Sequence, residues 1–121
     1  PNDPATFMSA KIDWSEFDWE ERRAAFARFQ TLARWRRELL WPLASGPTND
    51  ARTGRQGTAL VVSWIFEAGT LTMALNAADY PTDIACVITA PPVSTGDYSQ
   101  LGDVLRLGAW SAVVWSSNKQ E

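Results

Sequence analysis

The apolar residues of this chain change period once along its length. Up to about residue 44 they recur at helical spacing. From Thr58 onward they fall in short runs of β-branched and aromatic residues bounded by turn signals. The chain therefore divides into a helical front, residues 1–44, and an all-β rear, residues 45–121. Its length of 121 residues suits one domain, or one domain with an appendage, and is enough to bury a core.

In the front, Asp3-Pro4 reads as an N-cap followed by proline at the first helical position, which predicts a short helix over residues 4–10. Asp18 reads as the N-cap of a long helix over residues 19–40, with Glu20 and Glu21 in its first turn. Phe26, Phe29, Ala33 and Leu40 share one side of that helix. Leu32, Trp35 and Leu39 widen the stripe, and Arg23, Arg34, Arg37 and Glu38 form the solvated face. Pro42 is expected to end the helix near Trp41. Arg36 falls inside the apolar arc and is expected to lay its stem on apolar surface with its head in water.

Residues 45–57 read as a polar loop with one short edge strand at 50–55. Residues 58–66, a turn at Glu67-Ala68-Gly69, and residues 70–76 predict a hairpin. Further strands are expected at 84–89, 103–107 and 111–116, with a loop over 91–102 and a turn at Gly108. The fold class expected is mainly β with an N-terminal helical segment. It consists of a small antiparallel Greek-key β-sandwich of five or six strands, preceded by one short and one long α-helix.

Composition excludes several functions. With no histidine the chain holds no Ser-His-Asp or Cys-His device and no His-ligated zinc, and its one cysteine cannot build a thiolate site. Intramolecular disulfides are ruled out, which gives no reason to expect an oxidising compartment, and a cytoplasmic location is expected. A net charge of −3 argues against nucleic acid as a partner. The longest apolar run, residues 59–66, is too short to span a membrane. No signal peptide is visible, and Pro1 is expected to follow either removal of an initiator Met or a cut through a longer protein.

Carboxylates are the remaining candidates for acid–base chemistry. Asp13, Glu16, Asp18, Glu20 and Glu21 cluster where helix capping explains them; Asp79, Asp83, Asp97 and Asp103 lie in or beside turns. Gly54 and Gly57 do not make a phosphate loop, and Cys86 reads as a small core residue. No catalytic, cofactor-binding or metal-ligating residue is assigned, and no cofactor is expected. Seven tryptophans suit either core packing or stacking on sugars. Trp64, Trp110 and Trp115 are expected in the core, Trp35 at the edge of the helix stripe, and Trp14 and Trp19 at the helix entry.

Four segments resemble one family. Pro1-Asn2-Asp3-Pro4-Ala5-Thr6-Phe7, continuing to Lys11-Ile12-Asp13-Trp14, is similar to a stretch after the last barrel strand of malto-oligosyltrehalose trehalohydrolases, members of the α-amylase family. Leu32-Ala33-Arg34-Trp35-Arg36-Arg37 is similar to the Arg-rich end of that family's last barrel helix. Thr72-Met73-Ala74-Leu75-Asn76-Ala77-Ala78-Asp79 and Leu107-Gly108-Ala109-Trp110-Ser111-Ala112-Val113-Val114-Trp115 resemble two strands of its C-terminal domain. Ala109 stands where the family often has proline, and residues 45–57 match poorly.

The resemblance implies the last part of a (β/α)8 barrel over residues 1–44 and an amylase-type C-terminal β domain over 45–121. The family cleaves maltooligosyl trehalose to release trehalose, using an Asp nucleophile, a Glu acid/base and a stabilising Asp on barrel loops. Those positions lie upstream of Pro1, so this chain alone is expected to be inactive and the parent to be the enzyme. Three roles stay open: a structural domain that stabilises the upstream catalytic barrel of its own parent chain, a carbohydrate-binding module contacting α-glucan, and a helix-mediated interaction domain. Phe26 and Phe29 are expected to be exposed on the isolated chain, which would favour a homodimer through the helix face.

Overall fold

A computed structural model describes residues 3–11 and 14–118, without the side chains of Phe7, Glu16, Phe17, Asn49 and Asn118. Pro1, Asn2, Ile12 and Asp13, named above, lie outside the described residues. The chain forms two compact units that part between Ala33 and Arg34.

In the first unit, helix α1 spans Pro4–Ser9. Asp3 caps it as its sequence position predicts: its Oδ1 accepts the Ala5 N–H at 2.9 Å and its carbonyl the Thr6 N–H at 3.0 Å. A 3-10 turn, Trp14–Asp18, precedes α2, Glu20–Trp35. Asp18 therefore closes the 3-10 turn, and Trp19 takes the position expected of it, its carbonyl accepting the Arg23 N–H at 3.0 Å. Glu20 and Glu21 occupy the positive first turn of α2, and none of the helix's residues is buried.

The second unit begins with a departure from the expected helix end. The backbone continues past Pro42 through a π turn, Arg36–Leu40, into a short helix α3, Trp41–Ala44. The Trp41 N–H bonds the Arg36 carbonyl five residues back instead of four. In an α-helix the Pro42 ring would strike the carbonyl four residues earlier, and proline has no N–H to give it. The wider π register removes both conflicts, so the proline is passed rather than obeyed. Arg36 is exposed, its guanidinium 6.0 Å from the centre of the Trp41 ring.

Among the described residues eight strands follow: β1 Thr48–Gln56, β2 Ala59–Phe66, β3 Gly69–Asn76, β4 Thr82–Ala85, β5 Val93–Thr95, β6 Tyr98–Leu101, β7 Val104–Leu107 and β8 Ser111–Asn118. All pairings are antiparallel, in a five-stranded sheet ordered β1-β2-β3-β8-β5 and a three-stranded sheet ordered β4-β7-β6. The core is drawn from both: Ala59, Ala74, Val113 and Trp115 from the first sheet meet Ile84, Leu105 and Leu107 from the second. This is the expected mainly antiparallel β fold with a short and a long helix at its front.

Four differences in detail have physical causes. The edge strand β1 is longer than its Gly- and charge-rich sequence suggests, because β2 supplies a full ladder from Phe66 to Ala59. Ile84 to Thr89 forms strand only as far as Ala85. Beyond it the backbone bonds elsewhere: Cys86 N–H to the Asp103 carbonyl at 3.0 Å, and Ile88 N–H to Gln100 Oε1 at 3.2 Å. The Pro91–Gly102 segment holds two strands, β5 and β6, formed by pairing with β8 and β7 rather than by local propensity. Finally, Trp115 is 4% exposed as expected of a core residue, but Trp64 is half-buried and Trp110 is 67% exposed.

Asn76 holds the loops at one end of the sandwich. It is 1% exposed, and its amide is fully used. Oδ1 accepts the Thr58 hydroxyl at 3.0 Å and the Ala78 N–H at 3.2 Å, while Nδ2 donates to the Tyr80 and Gly108 carbonyls, both at 2.8 Å. Asn76→Asp is expected to lower stability by about 3 kcal/mol at neutral pH, since two buried carbonyls then face a carboxylate. The pH sign follows. Burial beside carbonyls raises the introduced carboxyl's pKa in the folded state, so stability is greatest in acid and falls as pH rises through that value. Urea unfolding across pH reads this; an unchanged midpoint at neutral pH would refute the role.

Trp110 carries the second prediction. It has φ 49, a left-handed conformation that a bulky side chain adopts only at a cost. Trp110→Gly is expected to raise stability by about 1 kcal/mol, seen as a higher urea midpoint. A lower midpoint would show that the indole contributes more to folding than its backbone costs.

Candidate functional site

Among the described residues the carboxylates weighed from sequence do not converge into a metal-type cluster. Asp83 sits on β4, where register places it beside Arg106 of β7, and its Oδ1 lies 3.8 Å from the Arg106 Nε. Asp50 of β1 accepts from the Arg52 Nε at 3.3 Å. Glu20 and Glu21 remain at the start of α2. Among the described residues no three His, Cys, Asp or Glu side chains come together as a metal site would require. Cys86 packs partly buried against the core, and burial pushes its thiol pKa up despite an opposing backbone hydrogen bond at Val87. A thiol held protonated is a poor nucleophile.

Two surface features remain. The first is the outer face of the five-stranded sheet. Register puts Leu60, Val62 and Trp64 of β2 on it, beside Leu71, Met73 and Leu75 of β3, Val114 of β8 and Val93 of β5. An antiparallel sheet with one solvated face alternates apolar and polar residues; this one is apolar on both. Helix α3 packs against β3, and its Leu43 is buried with Val62 and Leu71. Leu75, Val93 and Val114 stay half-buried and Leu60 exposed.

The second feature is a groove of about 390 Å³ at the end of the sandwich where β3 and β7 finish and β6 begins. Asp97, Tyr98, Ser99, Arg106, Gly108 and Ala109 line it. Its floor is tightly built. The Gly108 N–H donates to the Asp97 carbonyl at 2.8 Å, and a Cβ on Gly108 would come within 2.9 Å of that oxygen. Gly96 has φ +71, and a Cβ there would stand 2.8 Å from the Ser111 Cβ. Asn76 Nδ2 and Ser111 Oγ both donate to the Gly108 carbonyl. The grouping leaves no local signal in the sequence, because β6 lies in a loop-like stretch and forms by pairing with β7; of the lining, turn signals at Asp97 and Gly108 are legible.

No protein-family model matches the chain, and no curated protein matches it. The chain is similar to a crystal structure described as a "Putative alpha Amylase from Salmonella typhimurium", with 25% identity, a TM-score of 0.71, and coverage of 97% of this chain. It spans 20% of that chain's length. The chain thus shares the fold of part of that structure, a mainly antiparallel β arrangement with helices ahead of it in sequence, the fold expected of an amylase C-terminal β domain.

Proposed function

We infer that the chain is the non-catalytic C-terminal β domain of a trehalohydrolase-like α-glucan hydrolase, whose parent releases trehalose from maltooligosyl trehalose. Residues 1–44 are the last part of the parent's barrel and 45–121 the appended domain. Its work is to cover and stabilise that barrel. The observation that carries this reading is the apolar outer face of the five-stranded sheet, which has the composition of a buried surface. The occupant is the catalytic barrel of the same parent chain. Two things support that choice: the similar solved chain is about five times the length matched here, and the four segments described above follow trehalohydrolase order.

The polar edge strand β1 fits the same role. Asp50, Arg52 and Arg55 keep one sheet edge from pairing with another chain, which leaves the apolar face as the sticky surface. Among the described residues no helix is long and apolar enough to cross a membrane. A cytoplasmic location agrees with the absence of any disulfide pair.

Two outcomes are expected. The parent reading frame releases trehalose from maltooligosyl trehalose and the 121-residue chain releases none; trehalose from the isolated chain would overturn the reading. The isolated chain also self-associates in light scattering, with Phe29 and Leu60 among its exposed apolar residues. Val114→Glu on the outer sheet face weakens that association by about tenfold or more, equivalent to roughly 1.4 kcal/mol. A chain that is monomeric at every concentration would contradict a docking face that α3 leaves partly exposed.

A further inference from the structure

An open sheet ends in edge strands, whose outward N–H and C=O groups invite pairing with another chain unless something blocks them. The edges here are β1 and β5 of the larger sheet and β4 and β6 of the smaller. Three are guarded. β1 carries Asp50, Arg52 and Arg55. β5 is three residues long and follows Pro91-Pro92. On β4, Gln56 takes up both the N–H and the carbonyl of Ala85. By contrast β6, Tyr98-Ser99-Gln100-Leu101, has no charge and no proline, and all four residues are exposed.

Register says which of its backbone groups are free. Bonded and non-bonded pairs alternate along an antiparallel ladder. Gly108 donates to the Asp97 carbonyl at 2.8 Å, one step beyond the Tyr98–Leu107 pair. The bonded pairs of β6 are therefore Ser99–Arg106 and Leu101–Val104, the second closing a two-residue turn whose Gly102 has φ 59. Tyr98 and Gln100 consequently direct their N–H and C=O groups away from β7. No hydrogen bond among the described residues takes those groups up.

The side chains around this edge set what would fit it. Asp97, Ser99 and Leu101 alternate onto the solvent side, whereas Tyr98 and Gln100 share the side of the buried Leu107 and Leu105. Leu101 is 84% exposed. Asp97 and Asp103 stand at the two ends of β6, both exposed, and neither forms an ion pair among the described residues. Arg106, the register partner of Ser99, has its Nε 3.8 Å from Asp83 on the opposite side of β7. A second copy suits this edge poorly. Pairing Tyr98 with Gln100 between two antiparallel β6 strands sets each Asp97 beside the other Leu101, and a shift by one step sets Asp97 beside Asp103.

We propose that β6 is a docking edge for an extended peptide, added antiparallel as a fourth strand of the smaller sheet, with an apolar residue beside Leu101 and, four residues later, a Lys or Arg beside Asp97. The net charge of −3 favours such a basic partner. The proposal is independent of the barrel-covering role of the larger sheet.

The test is two-dimensional NMR on the isotope-labelled chain, titrated with the peptide Thr-Leu-Val-Thr-Val-Lys-Thr. Saturable shifts at millimolar peptide are expected at the Tyr98 and Gln100 amides, with slowed hydrogen exchange there. N-methylation of both valines, which face those groups, should weaken binding about tenfold or more, and N-methylation of the central threonine should not. Replacing the peptide lysine by glutamate should cost about threefold or more, and Asp97→Lys should reverse that preference. Because the methylated peptides leave the protein unchanged, they decide the matter even if a variant fails to fold. No binding, shifts confined to other surfaces, or equal affinity for all the methylated peptides would overturn the proposal. Protection of the same amides that grows with protein concentration alone would assign the edge to a second copy and overturn it too.

Discussion

The Asn76 side chain is the constraint on which one end of this sandwich depends. It closes β3 at the point where the chain leaves the five-stranded sheet for the three-stranded one. Four hydrogen bonds from one buried amide tie the β2 entry, the β3–β4 loop and the β7–β8 loop to a single point. The Ala78 N–H and the Tyr80 and Gly108 carbonyls thereby find partners that no strand ladder supplies. With the loops pinned, Gly108 and Asp97 can approach to backbone contact, and the groove beside them has fixed walls.

Side-chain amides do similar work along β4. Gln56 of β1 accepts from the Ala85 N–H at 3.0 Å and donates to the Ala85 carbonyl at 3.4 Å, bridging the two sheets as a strand would. Gln100 of β6 does the same for the segment after β4, donating to the Cys86 carbonyl at 3.0 Å and accepting from Ile88. Glutamine takes the place of a missing neighbour strand at both points, so the short β4 keeps its backbone satisfied. These polar groups are thus satisfied within the sandwich, whereas the outer face of the larger sheet keeps Leu60 exposed and Leu75, Val93 and Val114 half-buried.

How far the fold could be read in advance differs by element. The β2–β3 hairpin was legible because β-branched runs flank a Glu-Ala-Gly turn, and local chemistry there agrees with the tertiary answer. The α1 cap was legible for the same reason. The strands β5 and β6 were not, since Val-Ser-Thr and Tyr-Ser-Gln-Leu carry little alternation and form by docking on β8 and β7. Pro42 misled because the helix-stop rule assumes α register, and a π turn evades it. Of the groove, Asp97 and Gly108 carried turn signals, and Trp110, next to the lining residue Ala109, read as core. Turn geometry, invisible to apolar pattern, carried it to the surface.

By itself the sequence determined the order of the chain: helix first, then an antiparallel β domain, without histidine and with a single cysteine. Those properties follow from residue type and short-range periodicity, which act over a few residues. Tertiary structure alone decided which strand joins which sheet, which residues of the larger sheet's outer face α3 leaves partly exposed, and that Asp97, Arg106 and Gly108 share a groove. These depend on pairings between residues far apart in the chain. Such pairings are settled by the total burial and hydrogen bonding of the sandwich, not by any local preference.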